Sequence, residues 1–308
     1  MIDKISYFAY LMHEVDQLVV NFSSDTALIL NVSLGIIMFS VALGLTIDDF
    51  IRVLSSPKPI LLGLFSQFFL LPLLTYFIVV AINPIPSLAL GMFMIAACPG
   101  GNVSNFMSSI ANANVALSVS LSAVATALAI FITPINFAFW SGLYAPTSGL
   151  MEEINVSLVQ MIRTVFIIMG IPLILGMWFR KRYYKLTLRI ERPIRIISLL
   201  IFGIIVVSAI YMNFDAFWTN LYYVLFLVLG HNFLALLTGY TVGKGFQLPW
   251  KDIKSLSIET GIQNSGLGLL LIFTFFNGLG GMALVAAWWG IWHIISGLSL
   301  SYYWKFRV

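Results

Sequence analysis

The stretch that decides the fold is SIETGIQNSGLG, Ser257 to Gly268, which continues directly into the apolar segment LLLIFTFF at 269–276. Its twelve residues include one carboxylate, two side-chain amides, three hydroxyls and three glycines. The chain around it is 60% hydrophobic and only 9% charged, whereas soluble domains carry roughly 25% charged residues. A concentrated polar island therefore lies inside a membrane-embedded chain, and that contrast needs a physical reason.

The whole chain has the composition of an all-α protein that crosses the membrane several times. A membrane span needs about 20 consecutive apolar residues, and nine runs of this kind are present. The predicted runs are Thr26–Thr46, Pro59–Ile82, Leu88–Ala111, Val115–Phe139, Val156–Phe179, Ile194–Met212, Leu221–Val242, Ser255–Phe276 and Met282–Trp304. The single cysteine, Cys98, excludes an intrachain disulfide and a cysteine-based metal site.

The basic residues predict the orientation, and their clustering in short loops argues against a nucleic-acid partner. Fourteen of the sixteen Lys and Arg residues lie in the loops after the first, fifth and seventh runs, at the adjoining edges of the runs, or in the C-terminal segment after the ninth run. By the positive-inside rule these loops and the C-terminus are cytoplasmic. With nine spans the N-terminus is then outside. We expect the protein to lie in the plasma membrane, which in a bacterium is the inner membrane.

Residues 1–25 form a separate segment. Ile5, Phe8, Met12 and Val15 recur at intervals of three and four, which predicts an amphipathic helix. We expect this helix to lie on the outer membrane surface or to pack against the bundle. A partly disordered tail is the alternative.

Glu259 is the residue of the island that most needs an explanation. A carboxylate in the membrane is costly unless it is paired, and Lys254 lies more than a turn away at the predicted cytoplasmic edge. The hard oxygen atoms nearby suit an alkali cation, and the glycines let the helix unwind and free backbone carbonyls. The pattern predicts a cation site, and a hydrogen-bonding patch between helices is the alternative.

A second polar island, ACPGGNVSN at Ala97 to Asn105, lies in the middle of the third run. Pro99 removes a backbone donor and two glycines follow it, so we expect the helix to break there. Asn102, Ser104 and Asn105 then line the break.

Two interrupted helices, at 88–111 and 255–276, are typical of transporters built from inverted repeats. We expect a first repeat of four spans at 26–140 and a second repeat of five spans at 141–308. The unequal numbers suggest a five-plus-five plan whose first helix has been lost.

Further polar residues lie in neighbouring runs. They are Gln67, Ser118, Ser122, His231, Asn232 and His293. Ser118 and Ser122 are four apart and so share one helix face. A lone histidine in a membrane helix is more often a packing residue than a ligand, so both interpretations stay open for His231 and His293.

The motifs CPGGNVSN and ETGIQNSGLG, with LGIIMFSVALGLT in the first run, resemble the bile acid:sodium symporter family. This family includes the ileal (apical) and hepatic bile acid transporters and their bacterial homologues. The resemblance covers essentially Thr26 to Val308. It implies two sodium ions coupled to an organic anion, a core domain with crossing broken helices from 59–139 and 221–304, and a panel domain from 26–46 and 156–212.

The resemblance also implies roles for individual residues. One sodium ion would be held by Ser104, Asn105, Ser118, Ser122 and Glu259. The other would be held by Gln67, Glu259, Gln263 and the backbone carbonyls of Thr260 and Ile262. The substrate would lie near Gly101, Asn102, Asn264 and His293. The missing first helix departs from the ten-span bacterial pattern and affects the packing of the panel, not the ion sites.

The sequence thus predicts sodium-coupled uptake of an organic anion, either a bile acid or a smaller carboxylate. A proton-coupled carrier in which Glu259 titrates is the alternative. An enzyme is disfavoured because HExxH, GxSxG and paired membrane aspartates do not occur. A channel is disfavoured because the predicted ion residues cluster at one crossing. The specific anion, the oligomeric state and the source organism do not follow from the sequence.

Overall fold

The computed structural model describes residues 24–101, 103–154, 157–212 and 214–306. The predicted surface helix at 1–25 lies outside these ranges apart from its last two residues, and so does Asn102. Within the described ranges the regular structure is helical, apart from one isolated β-bridge. The helices are α1 (Ser24–Ala42), α2 (Ile47–Ser55), α3 (Pro57–Phe65), α4 (Leu71–Ile82), α5 (Pro86–Ala97), α6 (Val103–Ile110), α7 (Val115–Leu143), α8 (Ala145–Ile154), α9 (Leu158–Val165), α10 (Ile171–Arg182), α11 (Tyr184–Met212), α12 (Phe214–Gly245), α13 (Trp250–Gly261), α14 (Ser265–Phe275) and α15 (Gly280–Lys305).

The chain is an all-helical, polytopic membrane protein. Five continuous helical stretches in the described ranges are long and apolar enough to cross a membrane: Pro57–Ile82, Val115–Leu143, Leu158–Arg182, Val224–Gly245 and Gly280–Lys305. Two shorter apolar helices, α5 and α14, accompany them. Large apolar side chains such as Leu61 and Ile174 are about 60% exposed, while many polar side chains are buried, as expected for a protein whose solvent is lipid.

Helices occupy each predicted apolar run, but several boundaries differ. α11 begins at Tyr184, ten residues before the predicted start at Ile194. The segment between these two positions is rich in Leu, Arg, Lys and Glu, which are good helix formers. Hydropathy identifies only the apolar part of such a helix, so the predicted run at Ile194–Met212 leaves out its basic first turns.

Two π-helical turns, Ser66–Leu70 between α3 and α4 and Phe166–Gly170 between α9 and α10, were not predicted. Each immediately precedes a residue followed by proline, Pro72 or Pro172. A proline inside a helix has no N–H and clashes with the preceding turn, and a locally widened turn accommodates it. The first of these π turns contains Gln67.

The helices surround the two predicted breaks. α5 and α6 are the halves of one broken helix, and α13 and α14 are the halves of the other. α12 packs along α13, while α15 packs against α5, α12 and α14. α1 packs against α10 and α11.

The predicted cytoplasmic loops meet at one end of the molecule. Lys58 donates to the Phe246 carbonyl at 3.1 Å, and the Asn114 N–H donates to the Lys251 carbonyl at 3.1 Å. Asn114 also donates through Nδ2 to Asp252 Oδ1 at 2.7 Å. The loop between α6 and α7 is therefore fixed to the start of α13, which sets the relative position of the two broken helices.

Candidate functional site

The two broken helices meet through their backbones. Gly100 and Gln263 form an antiparallel β-bridge, in which the Gly101 N–H donates to the Ile262 carbonyl at 2.7 Å and the Asn264 N–H donates to the Pro99 carbonyl at 2.8 Å. Backbone groups freed in a membrane must find partners inside the protein. Each break therefore supplies hydrogen-bond partners to backbone groups of the other, and these bonds fix the point where the two helices cross.

Glu259 lies at this crossing, at the C-terminal end of α13, and its side chain is fully buried. Three serine hydroxyls donate to its carboxylate. Ser104 and Ser118 donate to Oε2 at 2.5 and 3.0 Å, and Ser122 donates to Oε1 at 2.5 Å. Ser122 also lies 3.4 Å from Asn105 Oδ1. The structure thus brings together the five residues that the family resemblance implies for the first ion.

The Gln67 amide also lies close to Glu259. Gln67 Nε2 lies 3.4 Å from the Glu259 carbonyl oxygen. A Cβ atom added to Gly100 would lie 2.5 Å from Glu259 Oε1 and 2.8 Å from Gln67 Nε2. The absence of a side chain at Gly100 therefore leaves the space in which the carboxylate and the amide sit.

Two fully buried amide oxygens are without hydrogen-bond partners in the described part of the chain. They are Gln67 Oε1 and Gln263 Oε1. Buried hydrogen-bond acceptors nearly always have a partner. An amide oxygen can also coordinate a hard cation through its lone pairs. Both belong to the residues predicted for the second ion, so the residues present fit a hard cation.

The carbonyls at the end of α13 complete this group. Gln263 Nε2 donates to the Thr260 carbonyl at 2.9 Å, and Ile262 has an extended backbone with φ −106° and ψ 90°. The hydroxyl of Thr260 lies 3.0 Å from that of Ser66, which precedes Gln67. The predicted residues of the second ion therefore also lie together.

The predicted substrate residues are grouped less tightly. Asn264 caps α14, because its Oδ1 accepts from the Leu267 N–H at 3.0 Å, and Gly101 is half-buried beside it at the crossing. His293 on α15 is 5% exposed, so it is a buried side chain rather than one that lines an open cavity. Asn102 lies outside the described residues.

Lys254 is a buried cation near the island, but it has other partners. Its Nζ donates to the Ala111 carbonyl at 2.8 Å and approaches the Trp304 carbonyl at 3.4 Å. These are contacts at the end of α6 and within α15. Among the described residues no Lys or Arg forms an ion pair with Glu259.

His231 is a packing residue by its contacts. Thr75 donates its one hydroxyl proton to the Leu71 carbonyl at 2.8 Å, so it accepts from His231 Nε2 at 2.7 Å. The ring lies edge-on to Trp289 with centroids 4.9 Å apart. Neither contact involves the residues around Glu259.

Sequence reasoning missed several residues of this region. Ser66 and Gly100 contact or border predicted ion ligands, and Ser296 bonds to the buried Asn232. The only sequence signal for Ser66 was its position beside Gln67. Gly100 was recognised as a helix breaker, but its proximity to Glu259 depends on how the two broken helices cross.

A search against known families matches residues 31–220 to the model of the Sodium Bile acid symporter family. The matched residues include α5 to α7 but end before α13. Individual relatives match a larger share of the chain than the family model does.

A bacterial relative, described as an uncharacterized sodium-dependent transporter, YocS, of Bacillus subtilis, is 29% identical over 91% of this chain and 84% of its own length. The probable sodium/metabolite cotransporter BASS1, chloroplastic, of Arabidopsis thaliana is 28% identical over 89% of this chain and 66% of its own length. The human ileal sodium/bile acid cotransporter is 25% identical over 78% of this chain and 67% of its own length. The chain therefore spans about two thirds of the plant and human relatives.

Proposed function

The chain belongs to the sodium bile acid symporter family, and from that premise we propose that it is a sodium-coupled symporter that imports an organic anion by alternating access. The observation that carries the proposal is the fully buried Glu259 carboxylate at the crossing of two broken helices, surrounded by oxygen donors. The names of relatives in bacteria, plants and humans support sodium as the coupling ion.

The first sodium ion binds between Glu259 and the serines of α6 and α7, with Asn105 as a further ligand. A hydroxyl oxygen that donates its proton to a carboxylate still has lone pairs for a cation. Ser104, Ser118 and Ser122 therefore stabilise the Glu259 charge and supply ligands to the ion at the same time.

The second sodium ion binds on the Gln67 side of Glu259. The unpartnered oxygens of Gln67 and Gln263 support this position, together with the backbone carbonyls of Thr260 and Ile262. Sodium binding would give these two unpaired acceptors a coordination partner and so remove the free-energy cost of burying them unsatisfied.

The anionic substrate binds beside the two ions, at the starts of α6 and α14. The first N–H groups of a helix are free donors and carry partial positive charge, which favours an anion. Gly101 and Asn264 lie at these helix starts, and we assign Asn102 and His293 to the same site. Two sodium ions and Glu259 leave one net positive charge, which one carboxylate neutralises.

Alternating access arises from movement between two groups of helices. We propose that residues 59–139 and 221–304 form the core domain and that residues 26–46 and 156–212 form the panel. The packing of α1 against α10 and α11 supports such a panel. We further propose nine spans in two inverted repeats, 26–140 and 141–308, with the N-terminus outside the plasma membrane and the C-terminus in the cytoplasm.

Sodium-gradient uptake into proteoliposomes at fixed pH tests this function. The panel of labelled anions should include a bile acid and a small branched carboxylate. We expect uptake of at least one of them to rise when a sodium gradient, rather than a potassium gradient, is applied. Thermal stabilisation by sodium without any substrate provides a second readout that does not depend on the choice of anion.

Three results would contradict parts of the proposal. Uptake driven by a proton gradient without sodium would identify Glu259 as a titrating group in a proton-coupled carrier. Sodium stabilisation without uptake of any tested anion would retain the ion sites and exclude the tested substrate classes. The absence of both responses would refute the proposed function.

A further inference from the structure

Asn232 of α12 is a fully buried amide that contacts the break in α13 without belonging to the proposed ion or substrate sites. Its Nδ2 donates to the Gly261 carbonyl at 2.8 Å, and its Oδ1 accepts from the Ser296 hydroxyl at 2.6 Å. Since a carbonyl oxygen only accepts, the Gly261 contact fixes which end of the amide is Nδ2. One side chain therefore connects α12, α13 and α15 at the level of the crossing.

The end of α13 explains why this contact is needed. The last carbonyls of a helix have no partner within it and must be satisfied by other groups. The Glu259 carbonyl receives Gln67 Nε2, the Thr260 carbonyl receives Gln263 Nε2, the Gly261 carbonyl receives Asn232 Nδ2 and the Ile262 carbonyl receives the Gly101 N–H. Of these four donors, only Asn232 comes from outside the residues proposed to bind ions and substrate.

Gly261 is the last residue of α13, at the point where the helix breaks. A Cβ at Gly261 would lie 2.2 Å from Leu236 Cδ2, so the close approach of α12 requires glycine here. Glycine also leaves its backbone dihedrals with the fewest steric limits. The adjoining planar peptide groups carry the Thr260 and Gly261 carbonyls, so fixing the Gly261 carbonyl also restricts the orientation of its neighbours.

We propose that Asn232 is a positioning residue for the second sodium site. It holds the Gly261 carbonyl and thereby fixes the flanking carbonyls of Thr260 and Ile262 in the orientation that sodium coordination requires. This inference rests on the proposed function. Ser296 has a supporting part, because its hydroxyl holds the Asn232 amide in the orientation that presents Nδ2 to Gly261.

A second hydrogen bond between the same two helices supplies a matched control. Ser257 of α13 donates to the Leu236 carbonyl of α12 at 2.7 Å, within the regular part of both helices. Loss of this bond weakens the contact between α12 and α13 but leaves the carbonyls at the break unchanged. Ser257→Ala therefore reports a purely structural effect.

Sodium titrations of thermal stability at constant ionic strength, with potassium as the replacement ion, test the inference on the purified full chain. We expect Asn232→Ala to raise the sodium concentration for half-maximal stabilisation by about tenfold, since leaving a buried acceptor unsatisfied changes an equilibrium by about that factor. Ser257→Ala should lower the sodium-free Tm while the half-maximal sodium concentration stays within about twofold of wild type. Ser296→Ala, which keeps Nδ2, should give an intermediate rise of about threefold.

The outcomes are separable. An unchanged sodium response in Asn232→Ala, or an equal loss in Ser257→Ala, would overturn the positioning role while wild-type sodium stabilisation still supports the proposed function. If Asn232→Ala does not fold, Ser296→Ala decides: a rise of about threefold supports the role and an unchanged response overturns it. A wild-type protein without any sodium response would instead overturn the proposed function, and this inference with it.

Discussion

Replacing Gly100 by alanine should distort both proposed sodium sites while the fold remains intact. The added Cβ would lie 2.5 Å from Glu259 Oε1, 2.8 Å from Gln67 Nε2 and 3.1 Å from Glu259 Cδ. Gly100 does not have a positive φ, so alanine introduces no backbone strain there. The nearest atoms that it meets all belong to these two side chains.

The distances set the magnitude of the effect. Ordinary contact begins at 3.4 Å, so the Glu259 oxygen must move by about 0.9 Å from its 2.5 Å position. A metal–ligand distance in a well-formed site varies by only about 0.2 Å, so a movement of this size removes good coordination. We expect sodium affinity to fall by about 10- to 100-fold, or about 1.4–2.8 kcal/mol.

The fold should tolerate the change better than the ion sites do. The atoms that meet the new methyl group are the ends of two flexible side chains, which rotate at a lower cost than backbone. Overpacking of a rigid core costs about 1–3 kcal/mol, and this substitution should lie at the lower end of that range. The sodium-free Tm is therefore expected to change little.

Sodium-dependent thermal shift and sodium-gradient uptake measure the result. Gly230→Ala is the matched control, because the same substitution in α12 meets nothing within 4 Å. It should retain the wild-type sodium response. If Gly100→Ala also retained that response within about twofold, Glu259 and Gln67 would not be sodium ligands in the arrangement described here.

Three further predictions address the charge, the substrate and the topology. Glu259→Gln should lower sodium affinity by at least about 30-fold and abolish concentrative uptake in vesicles, because a truncated charge interaction of this kind costs about 2–5 kcal/mol. Wild-type sodium stabilisation in that variant would exclude Glu259 as a ligand. Asn264→Ala should weaken anion binding about tenfold and sodium binding less, as linkage requires some effect on both; calorimetry with equal losses would indicate a purely structural cap. Cysteines at Glu152 and Lys185 should react with an impermeant reagent from opposite sides of the membrane, with little background from the buried Cys98, and labelling from one side would refute the nine-span topology.

The two helix breaks and the need for partners around Glu259 could be predicted because their signals are local. Pro99 followed by Gly100 and Gly101 has few structural uses inside an apolar run, and the structure ends α5 and starts α6 around these residues. A carboxylate in a membrane segment likewise has to find partners. The spacing of Ser118 and Ser122 placed two hydroxyls on one face of α7, and both donate to Glu259.

The remaining features depend on contacts between distant parts of the chain. Nothing in the residues near Asn232 identifies Gly261 as its partner, because the pairing depends on how α12 packs along α13. The proximity of Gly100 to Glu259 and Gln67 likewise depends on the packing of three separate parts of the chain. The π turn at Gln67 had a local signal in Pro72, but a proline predicts a distortion and not its type.

The choice of serine around Glu259 has a physical consequence for the transport cycle. A lysine partner would neutralise the carboxylate permanently and compete with sodium, whereas a hydroxyl donates to the carboxylate without bringing a charge of its own. Ser104, Ser118 and Ser122 can therefore solvate the charge of Glu259 and still leave the proposed sodium ions to neutralise it. Coupling requires that the ions change the free energy of the state that binds the substrate. Because the three serine hydroxyls carry no charge, the population of that state can depend on sodium binding and not on a fixed cation.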